Sequence, residues 1–97
     1  MKGEPKMKFY IDTIEQIIGE EEGTYTEYGA REKVNDENLA LSKYYTKLSN
    51  VAIDLGKGHV YMDIKITNSL GGIIKKDFIG EYIQEWKNDW KCFVISV

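Results

Sequence analysis

The cleanest pattern in the chain lies between His59 and Ile79. Val60, Met62, Ile64 and Ile66 fall on one side of a two-residue period, and His59, Tyr61, Asp63, Lys65 and Thr67 fall on the other. That alternation predicts a strand with one buried and one wet face. Asn68-Ser69-Leu70-Gly71-Gly72 follows, with two glycines free to take positive φ. Apolar residues then resume at Ile73, Ile74, Phe78 and Ile79. The two runs read as a β-hairpin with a five-residue connection.

Upstream of that hairpin the period changes. Leu41, Tyr44, Tyr45, Leu48, Ala52 and Leu55 recur at steps of three and four, which draws an apolar stripe along a helix. Asn35 is placed to cap it, Asp36 and Glu37 put acids in its first turn, and Val34 can staple onto Leu39. Gly56-Lys57-Gly58 ends it, with Gly56 suited to the left-handed position after the last turn. Met7, Phe9 and Ile11 alternate as a strand would, although Ile11, Ile14, Ile17 and Ile18 also fit a helical stripe. Clustered Phe, Tyr, Ile and Thr favour a strand over residues 6–13, extensible to Ile18. Gly19-Glu20-Glu21-Glu22-Gly23 then makes a polar turn into a second strand around Thr24–Tyr28. After Ile79, the spacing of Tyr82, Ile83, Trp86 and Trp90 predicts a short helix over about 81–90, and residues 91–97 read as a last strand.

These elements predict a single α+β domain over residues 1–97. It has an antiparallel sheet of four to five strands in β-β-α-β-β order, with one long amphipathic helix packed on one face. The core expected from the pattern is Leu41, Tyr44, Tyr45, Leu48, Leu55, Val60, Met62, Ile64 and Ile66. An apolar terminal strand needs a neighbour: either another strand of this sheet or a second copy of the chain in a homodimer.

Composition narrows the function classes without choosing one. Twelve aromatics among 97 residues support a folded core rather than disorder. No run is long and apolar enough for a membrane helix, and MKGEPKMKFY has no signal core, so a cytoplasmic protein with no membrane partner is expected. The net charge of −3 hides an asymmetry: from Asp12 to Glu37 nine acids face only Arg31 and Lys33. That acidic stretch is either a solvated surface or a docking surface for a basic partner.

The chemistry-bearing residues are sparse. His59 is the only histidine and Cys92 the only cysteine, so no two-histidine metal site exists and no internal disulfide can form. Gly56-Lys57-Gly58 lies between a helix and a strand, the reverse of a phosphate-binding loop. Glu20-Glu21-Glu22 sits in a turn, where carboxylates are solvated rather than held for acid–base work. No catalytic residues, metal or cofactor is assigned, and the chain is expected not to be an enzyme. Tyrosines beside charge, such as Tyr61 near Asp63 and Lys65, suit a protein interface or base stacking.

Residues 42–78 resemble a group of small proteins of phages and mobile elements from low-GC bacteria. In these a helix with an Ala-Leu, Tyr and Leu rhythm feeds a strand, and an Asn-x-x-Gly turn leads to a Lys-Lys strand. Asn68-Ser69-Leu70-Gly71 and Lys75-Lys76 stand at those places here. The chain is also similar to anti-CRISPR proteins and other inhibitors of bacterial defence in being small, acidic, single-domain and without a catalytic constellation. The resemblance implies binding and blocking of a host protein or ribonucleoprotein, and it assigns no particular residues. The expected contact surface is acidic and aromatic: Glu20, Glu21, Glu22, Tyr25, Glu27 and Tyr28. The alternatives are nucleic-acid binding through Tyr61, Lys65, Lys75 and Lys76, ranked below protein, or a homodimer through the C-terminal strand.

Overall fold

Alternating residues of one strand sort the whole molecule into two sides. The structure, a computed structural model, describes residues 7–21, 23–83 and 91–96. Its elements are β1 (Phe9–Ile18), β2 (Tyr25–Val34), α1 (Glu37–Asp54), β3 (His59–Asn68), β4 (Ile73–Gly80) and β5 (Lys91–Ser96). β1 pairs antiparallel with β2 on one side and with β3 on the other, and β4 pairs antiparallel with β3. The four strands form an antiparallel sheet in the order β4-β3-β1-β2, and β5 extends it parallel to β2. Since β2 and β3 both oppose β1, they run parallel to each other. The helix that joins them makes a split β-α-β unit around β1.

Phe9, Ile11 and Thr13 of β1 and Met62, Ile64 and Ile66 of β3 turn towards α1 and are buried there. Ala40, Tyr44 and Val51 of the helix meet them, Val34 closes the end, and Leu41, Leu48, Ile74 and Ile79 pack around the cluster. The fold class and element order therefore follow the sequence pattern, as do Tyr44, Met62, Ile64 and Ile66 in the core. Tyr45 and Leu55 do not: Tyr45 is 53% exposed and Leu55 37%. The buried stripe runs through Ala40, Tyr44 and Val51, one residue off the predicted line, which swings Tyr45 and Ala52 outwards. Leu55 lies beyond the last helical turn as its C-cap.

The helix boundaries show the same kind of offset. Asp36, not Asn35, is the N-cap, and its carboxylate accepts from the Leu39 N–H at 2.8 Å. Glu37 remains in the first turn, where its charge suits the helix dipole. Leu39 is exposed. At the other end Gly56 takes φ +82, as its sequence position predicts. β1 runs the full length to Ile18, and β2 extends to Val34, six residues past the predicted Tyr28. In the β1–β2 turn, the Thr24 hydroxyl donates to the Glu21 carbonyl at 2.7 Å. In the β3–β4 turn, the Asn68 side chain accepts from the N–H groups of Leu70 and Gly72 at 2.9 and 3.0 Å. That side chain does the work of a backbone turn.

One bulge corrects the strand pattern. Gln16 pairs with Tyr61 but Ile17 pairs with His59, so Val60 is an extra residue in β3. His59 is thereby turned to the helix side, away from Tyr61, and Val60 is only half-buried rather than part of the core. The expected place of His59 on the wet face with Tyr61 fails for the same reason. Its Nδ1 lies 2.7 Å from Asp54 at the end of α1, and its Nε2 lies 2.8 Å from Glu15 of β1. The ring thus lies between two carboxylates, one at each nitrogen. The imidazole ties helix end, β1 and β3 together. Of the helix expected over about 81–90, residues 81–83 are not helical, and the remainder lies outside the described residues.

Ile64 is 1% exposed at the middle of this core, whereas Leu48 only flanks it. Ile64→Ala should lower unfolding stability by about 2–5 kcal/mol, and Leu48→Ala by clearly less. Urea denaturation of both variants checks the order, and equal losses would place the core elsewhere.

Candidate functional site

The helix covers one face of the sheet. On the other face, the pairing registers set side chains in four rows running across β4, β3, β1 and β2. The first row is Ile73, Thr67, Tyr10 and Lys33. The second is Lys76, Lys65, Asp12 and Arg31. The third is Phe78, Asp63, Ile14 and Gly29, and the fourth is Gly80, Tyr61, Gln16 and Glu27. An open trough of about 560 Å³ lies on the β1-β3-β4 part of this face, lined by Ile14, Tyr61, Lys65, Ile73, Lys76 and Phe78 among others.

The second row is unbalanced. Arg31 grips Asp12 through two bonds, Nε to Oδ1 at 2.6 Å and Nη2 to Oδ2 at 3.0 Å, and also stacks over Tyr10 with its Cζ 4.8 Å from the ring centre. Asp12 holds the Arg31 guanidinium charged by hydrogen bond and by field, so its pKa rises further. With Asp12 engaged this way, Lys65 and Lys76 stand directly opposite each other across β3 and β4, and neither has an ion-pair partner among the described residues. Like charges facing across strands are mutually unfavourable.

The fourth row carries a polar clasp. The chain turns over the face at Gly80, whose φ is +85 and where a Cβ would strike the Val60 carbonyl oxygen. Beyond it, the buried Gln16 amide pairs with the backbone of Ile83. Gln16 Nε2 donates to the Ile83 carbonyl at 3.2 Å, and the Ile83 N–H donates to Gln16 Oε1 at 2.8 Å. The same Nε2 donates to Glu27 at 3.0 Å, and the Tyr82 hydroxyl donates to Glu27 at 3.1 Å. Tyr82 in turn packs edge-on against Tyr61, ring centres 5.1 Å apart. Burial, together with the neighbouring Asp63 that its hydroxyl bonds at 3.1 Å, pushes the Tyr61 phenol up to about 12. On the helix side, burial and a hydrogen bond to Asp77 raise the Tyr44 phenol further.

The residues singled out from the sequence do not all meet. Glu20 and Glu21 are exposed at the β1–β2 turn, and Glu22 lies outside the described residues. Tyr25 and Glu27 share the face away from the helix, and strand alternation puts Tyr28 on the opposite one. Glu27 is tied into the clasp rather than standing as a display charge. In the alternative set, Tyr61, Lys65 and Lys76 share one face. Lys75 turns to the helix side, 5.9 and 5.6 Å from the ring centres of Tyr44 and Tyr45. Exposed Phe78, paired Asp12 and buried Gln16 went unnoticed in the sequence. Only the even spacing of Phe78 with Lys76 could have flagged the first.

Among the described residues no cluster of three metal-ligating side chains occurs, and no helix is long and apolar enough to cross a membrane. No family model, no curated protein and no solved structure matches the chain.

Two outcomes follow from this geometry. The neutral Tyr61 phenol is favoured in the folded state, so its contribution to stability is complete below its ordinary value of 10.0 and is lost as pH rises through about 12. Urea midpoints measured across that window should fall more steeply for the native protein than for Tyr61→Phe; parallel falls would contradict the assignment. Gln16→Ala should cost about 1–3 kcal/mol and speed hydrogen exchange at the Ile83 amide, whereas unchanged exchange there would mean that the clasp does not hold the segment.

Proposed function

We propose that this chain is a non-enzymatic protein-binding module whose contact surface is the sheet face away from α1. The observation that carries the reading is Phe78, 68% exposed on the same face of a hydrogen-bonded sheet as Ile73 at 59%, with Lys65 and Lys76 between them and no ion-pair partner for either lysine among the described residues. Exposed aromatic anchors on a rigid support are what partner surfaces engage most strongly. The ionisable groups that do come together hold one another: His59 with Asp54 and Glu15, Tyr44 with Asp77, Asp12 with Arg31. These groups brace the fold.

The partner class is the one implied by the resemblance of residues 42–78: a host protein or ribonucleoprotein of a bacterial defence system, blocked by occupancy in the manner of an anti-CRISPR protein. A charge gradient along the contact face supports oriented docking. Glu20 and Glu21 are exposed at one end of the strands, and Lys33, Lys65 and Lys76 lie towards the other.

Affinity capture from bacterial lysates, with and without an expressed CRISPR effector and read by mass spectrometry, tests this proposal. The tagged native chain should recover a defence protein stoichiometrically, and Phe78→Ser should lose it while melting like the native protein. Recovery of the same partner by both chains, or of no partner by either, contradicts the proposal.

A further inference from the structure

We infer that the trough between Lys65, Lys76 and Phe78 receives an extended acidic segment of a partner protein. Such a segment presents a carboxylate and, two residues along, an apolar side chain. The inference rests on the binding-module reading and specifies its partner's chemistry.

Two features of the face converge on that occupant. Lys65 and Lys76 are direct cross-strand neighbours, and the one carboxylate opposite Lys65 on its other side, Asp12, is committed to Arg31. A carboxylate laid between the two ammonium groups would relieve their repulsion and accept from both. Phe78 follows Lys76 at two residues on the same face, the period at which an extended chain repeats its own side chains. An apolar side chain at that period meets Phe78 and Ile14.

A nucleic-acid strand fits the same trough less well. It carries a negative charge at every residue, and Asp12 and Asp63 flank the two lysines on this face. A segment whose carboxylate is followed on this face by an apolar side chain sets no second charge beside Asp63.

The test uses two capped synthetic octapeptides, one repeating Glu-Ser-Phe-Ser and the other Lys-Ser-Phe-Ser, and an oligothymidylate strand, each titrated into the isotopically labelled full chain and followed by NMR. The acidic peptide should shift the Lys65, Lys76 and Phe78 signals and leave Glu20 and Glu21 unmoved. The K65E/K76E double variant should lose those shifts, keep its dispersed spectrum, and respond to the lysine peptide instead. Shifts from oligothymidylate without shifts from the acidic peptide would reassign the trough to nucleic acid and overturn the inference. No response at these residues to any probe would overturn it as well. If Phe78→Ser abolishes partner capture while the acidic peptide leaves Lys65 and Lys76 unmoved, the inference fails and the binding module stands. If the peptide binds at the lysines while capture does not depend on Phe78, the binding-module reading fails instead.

Discussion

Side-chain alternation along β1 and β3 is the constraint on which the molecule depends. Phe9, Ile11 and Thr13, with Met62, Ile64 and Ile66, must face α1 together, because one helix can cover only one side of the sheet. A slip of one residue in the β1–β3 register would carry that whole set to the opposite face, and so register is strongly specified. The same rule fixes the other side. Tyr10, Asp12, Ile14 and Gln16 are directed away from the helix by the residues between them, whatever their own chemistry. The proposed contact face is therefore a by-product of the core in its position and a separate matter in its composition.

That face is partly closed by its own chain. Gly80 turns the backbone over the sheet, and Gln16 receives Ile83 through a donor and an acceptor, as a neighbouring strand would. The clasp satisfies a buried amide and holds Tyr82 against Tyr61. It leaves uncovered the part of the face nearer β4, where Lys65, Lys76, Ile73 and Phe78 lie. The polar groups there are asymmetric, since Arg31 neutralises Asp12 and nothing among the described residues neutralises the two lysines.

The fold was largely legible because its strongest signals are periodic. The β3 alternation, the Asn68 turn and the glycine at the helix end each have a local physical cause and appear where that cause puts them. What escaped had a tertiary cause. The bulge at Val60 left no mark in the sequence, and it decides that His59 joins Asp54 and Glu15. The burial stripe of α1 is set by the sheet beneath it, which passes over Tyr45 and takes Ala40 and Val51. The candidate site was less legible still. Tyr25, Glu27 and Tyr28 are close in sequence, but an odd spacing in a strand separates Tyr28 from the other two. Lys75 parts from Lys76 in the same way. Phe78 read only as part of the second hairpin strand, because apolar type alone cannot say which face a strand residue takes.

The sheet face away from the helix carries exposed Phe78 and Ile73 beside β4, and the proposed function requires that face to be open in the free chain. Hydroxyl-radical footprinting of the free protein, at a concentration where light scattering reports a monomer, tests it most directly. Phe78 and Ile73 should be oxidised rapidly, while Tyr44 and Ile64 stay protected under the helix. Protection of Phe78 and Ile73 to the level of Tyr44 in the monomer would mean that the chain already covers this face, and would contradict the account.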